Sequence, residues 1–446
     1  MLIDGERLPS VACMMKSHKK KTEREKTMKF FHLADLHFGK MLHNVSLVQE
    51  DQPFWIEQFL KAVDAQQPDA VVISGDVYDR RSPSPEAMQL FDRLLTGLAT
   101  RGKSVFVIPG NHDSDIRLSH VSGLLRDQQI YIAGELRKEL QHVTLTSDGV
   151  PVTFWLMPFV FPRLVSDCRV LNDPDISGYD EAARALLAAQ EIDFSACNVL
   201  LAHQNVLHNG NAPEHSDSES IIGGLGEIDV SAFDGFDYVA LGHIHNRQPV
   251  GRETVRYAGC PLYYDFSETD RSKALTLVTI RAKDDITVES VEIPLLHRLK
   301  RVSGTLEEIL ELGQALTDKD SFYIQAILRD RHVPPRAMDQ LQAVFGSALV
   351  NVKREPTNGA AEAETSTRSA AAGIRSTEEQ FALFYQETQG ELLDNAQREL
   401  IEKALDQQGR RSGSFYTDAK EVPNEDAEEL IRLLLKNTEE DEYETA

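Results

Sequence analysis

Apolar positions fall along this chain in two alternating rhythms. Short runs rich in β-branched residues occupy 28–34, 70–74, 104–108, 198–202 and 238–242, and each predicts a buried strand. Between the first three runs the apolar spacing becomes helical. Phe54, Ile56, Phe59, Leu60 and Val63 mark one helix over 51–67, and Met88, Leu90, Phe91, Leu94 and Leu95 mark another that opens at the turn Ser82–Glu86. Strand–helix alternation of this kind predicts a largely parallel sheet.

Beyond residue 140 the rhythm changes. Runs at 143–145 and 152–157 predict two strands with no long helix between them, and 180–190 predicts a helix. Runs at 254–258, 274–281 and 287–293 predict a closing antiparallel meander. Together these point to two packed sheets with helices outside. Residues 299–354 repeat a small strand–helix–strand–helix–strand pattern. An Ala/Glu/Ser/Thr-rich stretch follows, and then apolar helical clusters at Phe381–Tyr385 and Leu430–Leu435 ahead of an acidic tail. The expected organisation is a disordered extension over 1–27, a main domain over 28–297, a small α+β domain over 298–355, a linker over 356–375 and a helical region over 376–446.

Composition narrows the class. With 446 residues the chain exceeds one ordinary core, and 41% hydrophobic and 26% charged residues fit a globular protein. Cys13, Cys168, Cys197 and Cys260 are scattered, with no paired spacing, which argues against a disulfide framework and for a reducing compartment. No run approaches a membrane span, and the first residues lack a signal-peptide core, so a cytoplasmic location is expected. A net charge of −24 argues against a nucleic-acid partner if taken alone. It is a sum over the whole surface, however, and bound divalent cations can supply positive charge locally.

The chemistry gathers where the apolar runs end. Asp35 and His37, Asp76, Asn111 and His112, His203, and His243 and His245 each lie just past a predicted strand. One such residue alone would be a solvated loop side chain. Five segments in order, carrying carboxylate, imidazole and amide oxygen but no thiolate, suit a pair of Mn²⁺, Mg²⁺, Fe²⁺ or Zn²⁺ ions. A carboxylate shared between two ions is the arrangement used for phosphate-ester hydrolysis, and Asp76 is the expected bridge.

These segments resemble the calcineurin-like metallophosphoesterases: Asp35-x-His37, Gly75-Asp76-x-x-Asp79, Gly110-Asn111-His112-Asp113, His203 and Gly242-His243-x-His245. The resemblance implies a four-layer αββα sandwich. It implies that Asp35, His37, Asp76 and His245 hold one ion, and that Asp76, Asn111, His203 and His243 hold the other. His112 would protonate the leaving oxygen, with Asp79 orienting it. Arg256-Tyr257-Ala258-Gly259-Cys260-Pro261, then Phe266-Ser267-Glu268 and Lys273, resemble the family's DNA-nuclease branch, although Cys260 stands where that branch has serine. By that resemblance the partners are DNA, a coiled-coil ATPase docked on the C-terminal helices, and a second copy of the chain joined through helices near 85–98 and 115–125. The metal is expected to be Mn²⁺. The alternative is a phosphodiesterase or phosphatase acting on a small or protein phosphoester.

Overall fold

The run Ala70–Ser74 is buried at every position, as is Ser104–Ile108. Strands buried on both faces need cover on both, and this requirement builds the layers. In the computed structural model, residues 27–355 are described apart from 168–169, 217, 220–226, 270 and 331–334. One six-stranded sheet runs in the order Asp285–Val291, Leu275–Ala282, Met28–Leu33, Ala70–Ser74, Ser104–Ile108, Ile130–Ile132. Its last four strands are mutually parallel, and the first two are antiparallel. The second six-stranded sheet runs Gln248–Val250, Arg252–Tyr257, Tyr238–Gly242, Asn198–His203, Val150–Leu156, Gln141–Ser147, with antiparallel edges around a parallel centre.

Side-chain alternation along each strand feeds two cores. Phe31, Leu33, Val71 and Ile73 pack outward on Trp55, Phe59 and Val63 of helix Asp51–Gln66, and on Leu90, Phe91 and Leu94 of helix Pro85–Ala99. Their neighbours Phe30, Val72 and Phe106 face the other sheet and meet Phe154, Leu201, Tyr238 and Ala240. The second sheet's far face packs Leu200 and Leu241 on Ala182, Ala183 and Leu186 of helix Tyr179–Ala188. Each such side chain contributes roughly 1.5–3 kcal/mol on full burial. The result is the expected helix–sheet–sheet–helix sandwich, with all five chemistry-bearing loops at one end of its parallel strands.

A third sheet, Arg298–Gly304, Phe322–Leu328 and Leu349–Arg354, is wholly parallel. Helices Leu306–Ala315 and Ala337–Phe345 close one of its faces through Ile309, Leu341 and Phe345. Thr305 and Glu308 form a capping box at the first of these helices. The sheet is tied to helix Asp51–Gln66 by one buried carboxylate. Tyr323 donates its hydroxyl to Asp51 Oδ2 at 2.5 Å, and His297 Nδ1 lies 2.9 Å from Asp51 Oδ1.

Four expectations change. The closing meander is divided: Arg252–Tyr257 joins the second sheet parallel to Tyr238–Gly242, whereas Leu275–Ala282 crosses to the first sheet and pairs with Met28–Leu33. Periodicity cannot say which sheet a strand joins. Met88, assigned to a core face, is 52% exposed. The 115–125 segment forms two four-residue helices, Asp115–Leu118 and Ser122–Leu125, instead of one. Two of the cysteines, Cys197 and Cys260, are free and buried. Cys13, Cys168, the 1–26 part of the extension, the 356–375 linker and the 376–446 helices lie outside the described residues. No helix among the described residues is long and apolar enough to cross a membrane.

Candidate metal centre

The strand-end loops are built on backbone that most residues avoid. Asp35, His37 and Asp76 have φ of 53°, 41° and 49°, the left-handed region, which costs a non-glycine residue roughly 1–2 kcal/mol. Hydrogen bonds between the loops hold them there. Asp35 N–H donates to Gly75 O at 3.1 Å and His37 N–H to Asp76 O at 2.9 Å. Gly75 has φ +85°, and a Cβ on it would stand 2.2 Å from His203 Nδ1. A Cβ on Gly242 would stand 1.9 Å from Ser74 O. Both glycines are needed because two sheets bring their strand ends into contact at this point.

Hydrogen-bond acceptors converge there without donors between them. His37 Nε2 lies 3.2 Å from His245 Nε2 and 3.6 Å from Asp76 Oδ2. His203 Nε2 lies 3.3 Å from Asp76 Oδ2 and 3.1 Å from Asn111 Oδ1, which is also 3.1 Å from His243 Nδ1. His203 Nδ1 is 2.8 Å from Ser74 O, to which it donates, leaving the Nε2 lone pair to the cluster. The Asp35 carboxylate accepts from His243 N–H at 3.0 Å and groups with His37 and His245 on one side and with Asp76 and His203 on the other. Asp76 therefore borders both halves, and its Oδ1 accepts from His112 N–H at 2.9 Å. This donor set of oxygen and imidazole nitrogen fits two divalent cations.

The electrostatics point the same way. Burial raises the Asp35 carboxyl well above its ordinary value. Burial alone would also raise Asp76, but the imidazoles of His203, His37 and His112 reverse this and hold it well below. Burial lowers His37 to about 3 and His243 to about 4, and lowers His245 far below its ordinary value, so all three stay neutral and able to bind metal. His203 differs. Burial would lower it, yet the Asp76 carboxylate lifts it to about 9. Without a cation, a proton on His203 neutralises part of the cluster.

The expected pairing of Asp79 with His112 takes another form. His112 Nδ1 donates to the Asp79 backbone carbonyl at 2.9 Å, while the Asp79 carboxylate lies 2.8 Å from Lys40 Nζ and 3.6 Å from His37 Nδ1. Asp79 still orients His112, through its main chain, and leaves His112 Nε2 free. Arg80 lies near Asp79 but is exposed, as is Arg81.

Several supporting residues had no role in the sequence reading. Asp113 accepts from Val77, Tyr78 and Gly110 N–H at 2.9–3.0 Å and so ties two loops together; burial raises its carboxyl to about 6. Gln52 donates to His37 O at 2.9 Å and accepts from Gly39 N–H at 3.1 Å. A buried glutamine on an otherwise apolar helix face was the available signal. Tyr264 donates its hydroxyl to Leu36 O at 2.7 Å. Ser218, Glu219, Glu268 and Lys273 surround His245 from behind.

Comparison with known proteins agrees with this geometry. Residues 28–247 match the family described as calcineurin-like phosphoesterase, and residues 296–389 match SbcD_C, described as the type 5 capsule protein repressor C-terminal domain. The chain is 29% identical over 325 residues to the SbcD subunit of nuclease SbcCD from Staphylococcus epidermidis, covering 72% of this chain and 84% of that one. It is 28% identical over 384 residues to the same subunit from Staphylococcus saprophyticus, covering 85% and 98%. A solved protein of Thermus thermophilus superposes over 60% of this chain and 100% of its own at 12% identity, with a TM-score of 0.36. The loops that end the parallel strands are those of the matched family, and the chain belongs to the calcineurin-like phosphoesterases, in the branch of the SbcD nuclease subunits.

Proposed function

We propose that this chain is the nuclease subunit of an SbcCD-type complex, hydrolysing phosphodiester bonds at DNA ends and hairpins. Asp35, His37, Asp76 and His245 would hold one divalent ion, and Asp76, Asn111, His203 and His243 the second, with Mn²⁺ as the favoured metal. When bound, such a pair neutralises the phosphate oxygens and lowers the pKa of a water. The chain's own contribution is position and proton supply. The interlocked loops fix the ligands before substrate arrives, and His112, oriented through Nδ1 by the Asp79 carbonyl, turns Nε2 outward to give a proton to the leaving oxygen.

The observation that carries this reading is the convergence of acceptors from both sheets, with His37 and His245 Nε2 3.2 Å apart. The double-strand 3′–5′ exonuclease and single-strand endonuclease activities, the SbcC-type coiled-coil ATPase partner, homodimerisation, cytoplasmic location and a role in DNA repair and recombination follow from the named relatives. Supporting a second copy as partner, Met88, Ile116, Val121 and Leu124 expose apolar side chains on helix Pro85–Ala99 and the two short helices after it. The small domain after residue 297 and the Arg256–Pro261 segment favour DNA over a small or protein phosphoester.

The test compares substrates. Purified chain with Mn²⁺ should release nucleotides from duplex DNA and open hairpins, with little turnover of cyclic nucleotides or phosphopeptides. The reverse preference would replace the nuclease with the small-phosphoester alternative.

A further inference from the structure

His245 has an unusual backing. Its Nδ1 lies 2.7 Å from Ser218 Oγ, and Ser218 Oγ lies 3.0 Å from Glu268 Oε1. Glu268 Oε2 receives Lys273 Nζ at 2.7 Å and the Tyr264 N–H at 3.4 Å. Lys273 Nζ also lies 2.9 Å from Cys260 Sγ. Glu268 is 1% exposed. His245, Cys260 and Glu268 could themselves surround a cation, but the Lys273 ammonium already supplies that charge.

The direction of each hydrogen bond follows from the ends of the chain. A carboxylate paired with an ammonium can only accept, so Ser218 spends its one proton on Glu268. The serine oxygen must then accept from His245, which places the imidazole proton on Nδ1. The Nε2 lone pair is left pointing at His37 Nε2 and the cluster. Ser216 Oγ, 2.6 Å from Ser218 Oγ, fits the remaining lone pair as a donor. Glu219 Oε1 meanwhile accepts the His245 backbone N–H at 2.6 Å and fixes the loop without touching the ring.

We infer that Ser218 and Glu268, with Lys273 as counter-ion, form a relay that sets the tautomer and aim of His245, and that they are positioning residues for one of the two metal sites. The inference rests on the metal-centre reading. The relay serves one side only: His203 is oriented by the Ser74 carbonyl, and His243 carries no contact to Ser218 or Glu268. Loss of the relay therefore weakens one ion and spares the other.

The experiment is a Mn²⁺ titration of the full chain, reading free Mn²⁺ by electron paramagnetic resonance, with thermal melts of the metal-free proteins alongside. Wild type should take up two ions. S218A and E268Q should each weaken one site about 10–100-fold and leave the other unchanged, the usual scale for removing the partner of a metal-bound histidine. The double variant should be no worse than either single one, and S218T, which keeps the hydroxyl, should restore binding. E268Q leaves Lys273 without its charge partner. If that variant fails to fold, S218A, at a half-buried position, carries the test with S218T. Two tight sites in folded S218A would overturn the relay, as would equal loss at both sites with a lowered melt. No uptake by wild type would bring down the metal-centre reading itself, an outcome distinct from either.

Discussion

His37 Nε2 and His245 Nε2 face one another at 3.2 Å, from strand ends in different sheets. Two neutral imidazoles with their lone pairs turned together repel unless a cation or proton lies between them. The spacing accepts one ion with bonds of about 2.0–2.1 Å to each nitrogen. Both rings are also backed alike. Behind His37 stand the Asp79 carboxylate and Lys40, and behind His245 stand Ser218, Glu268 and Lys273. In each case a carboxylate raises the basicity of the imidazole, and a lysine keeps the carboxylate ionised.

The role of His112 separates from metal binding. Its Nδ1 is committed to the Asp79 carbonyl, so substitution should remove a proton donor while the other ligands remain. H112Q is expected to lower kcat on DNA by about 10²–10⁴-fold. Mn²⁺ content by elemental analysis should stay at two ions per chain. Unchanged hydrolysis would remove His112 from the mechanism.

Metal loading should release a proton. His203 is lifted to about 9 in the metal-free protein, since Asp76 more than offsets burial. Near neutral pH its Nε2 is therefore protonated and must lose that proton to bind metal. His37 and His243, lowered to about 3 and about 4, are already neutral there and release none. The sign follows directly: Mn²⁺ affinity rises with pH until about 9 and then levels off. Calorimetry in buffers of different ionisation enthalpy should find about one proton released per pair of ions near neutral pH, and H203N should abolish the release.

Much of this centre was legible in the sequence because each ligand follows an apolar run that can only be a buried strand. The run at 70–74 stops at Gly75 and delivers Asp76, and the runs ending at His203 and Gly242 do the same from the other sheet. The strand–helix alternation likewise pointed to the parallel half of the first sheet. What periodicity could not carry was partnership between distant segments. The destination of Leu275–Ala282 is set by pairing with Met28–Leu33, far away in the chain. The Ser218–Glu268 link joins two loops that no local pattern relates. Asp79 was read as a side chain orienting His112, but the contact is made by its backbone, which is the same in every residue type.

Crowding at Gly75 gives a structural prediction with an internal control. Gly75 and Gly102 both have positive φ, +85° and +62°, but a Cβ at Gly102 would meet nothing within 4 Å. G102A should therefore cost only the left-handed backbone penalty, about 1 kcal/mol, with normal Mn²⁺ uptake. G75A adds a Cβ 2.2 Å from His203 Nδ1 and must displace that ring. It should cost about 2 kcal/mol or more in urea denaturation and lose one Mn²⁺ site. Equal behaviour of the two variants would show that the close approach at Gly75 does not matter.

The small sheet is held to the sandwich by a pH-sensitive contact. The Asp51 carboxylate raises the His297 pKa above its ordinary value, while partial burial opposes it. A histidine raised in the folded state stabilises fully below its unfolded pKa of about 6.5 and loses that contribution as pH rises through the folded value. H297Q should therefore cost about 1 kcal/mol in mildly acidic solution, with the deficit shrinking toward zero in alkaline solution. Y323F removes the other bond to Asp51 without removing a charge that titrates in this range, because burial and Asp51 hold its phenol protonated throughout. Its deficit, also about 1 kcal/mol, should stay level across the same pH series. Parallel pH profiles for the two variants would mean that the His297–Asp51 contact is a neutral hydrogen bond, and the charge would then have no part in seating the sheet.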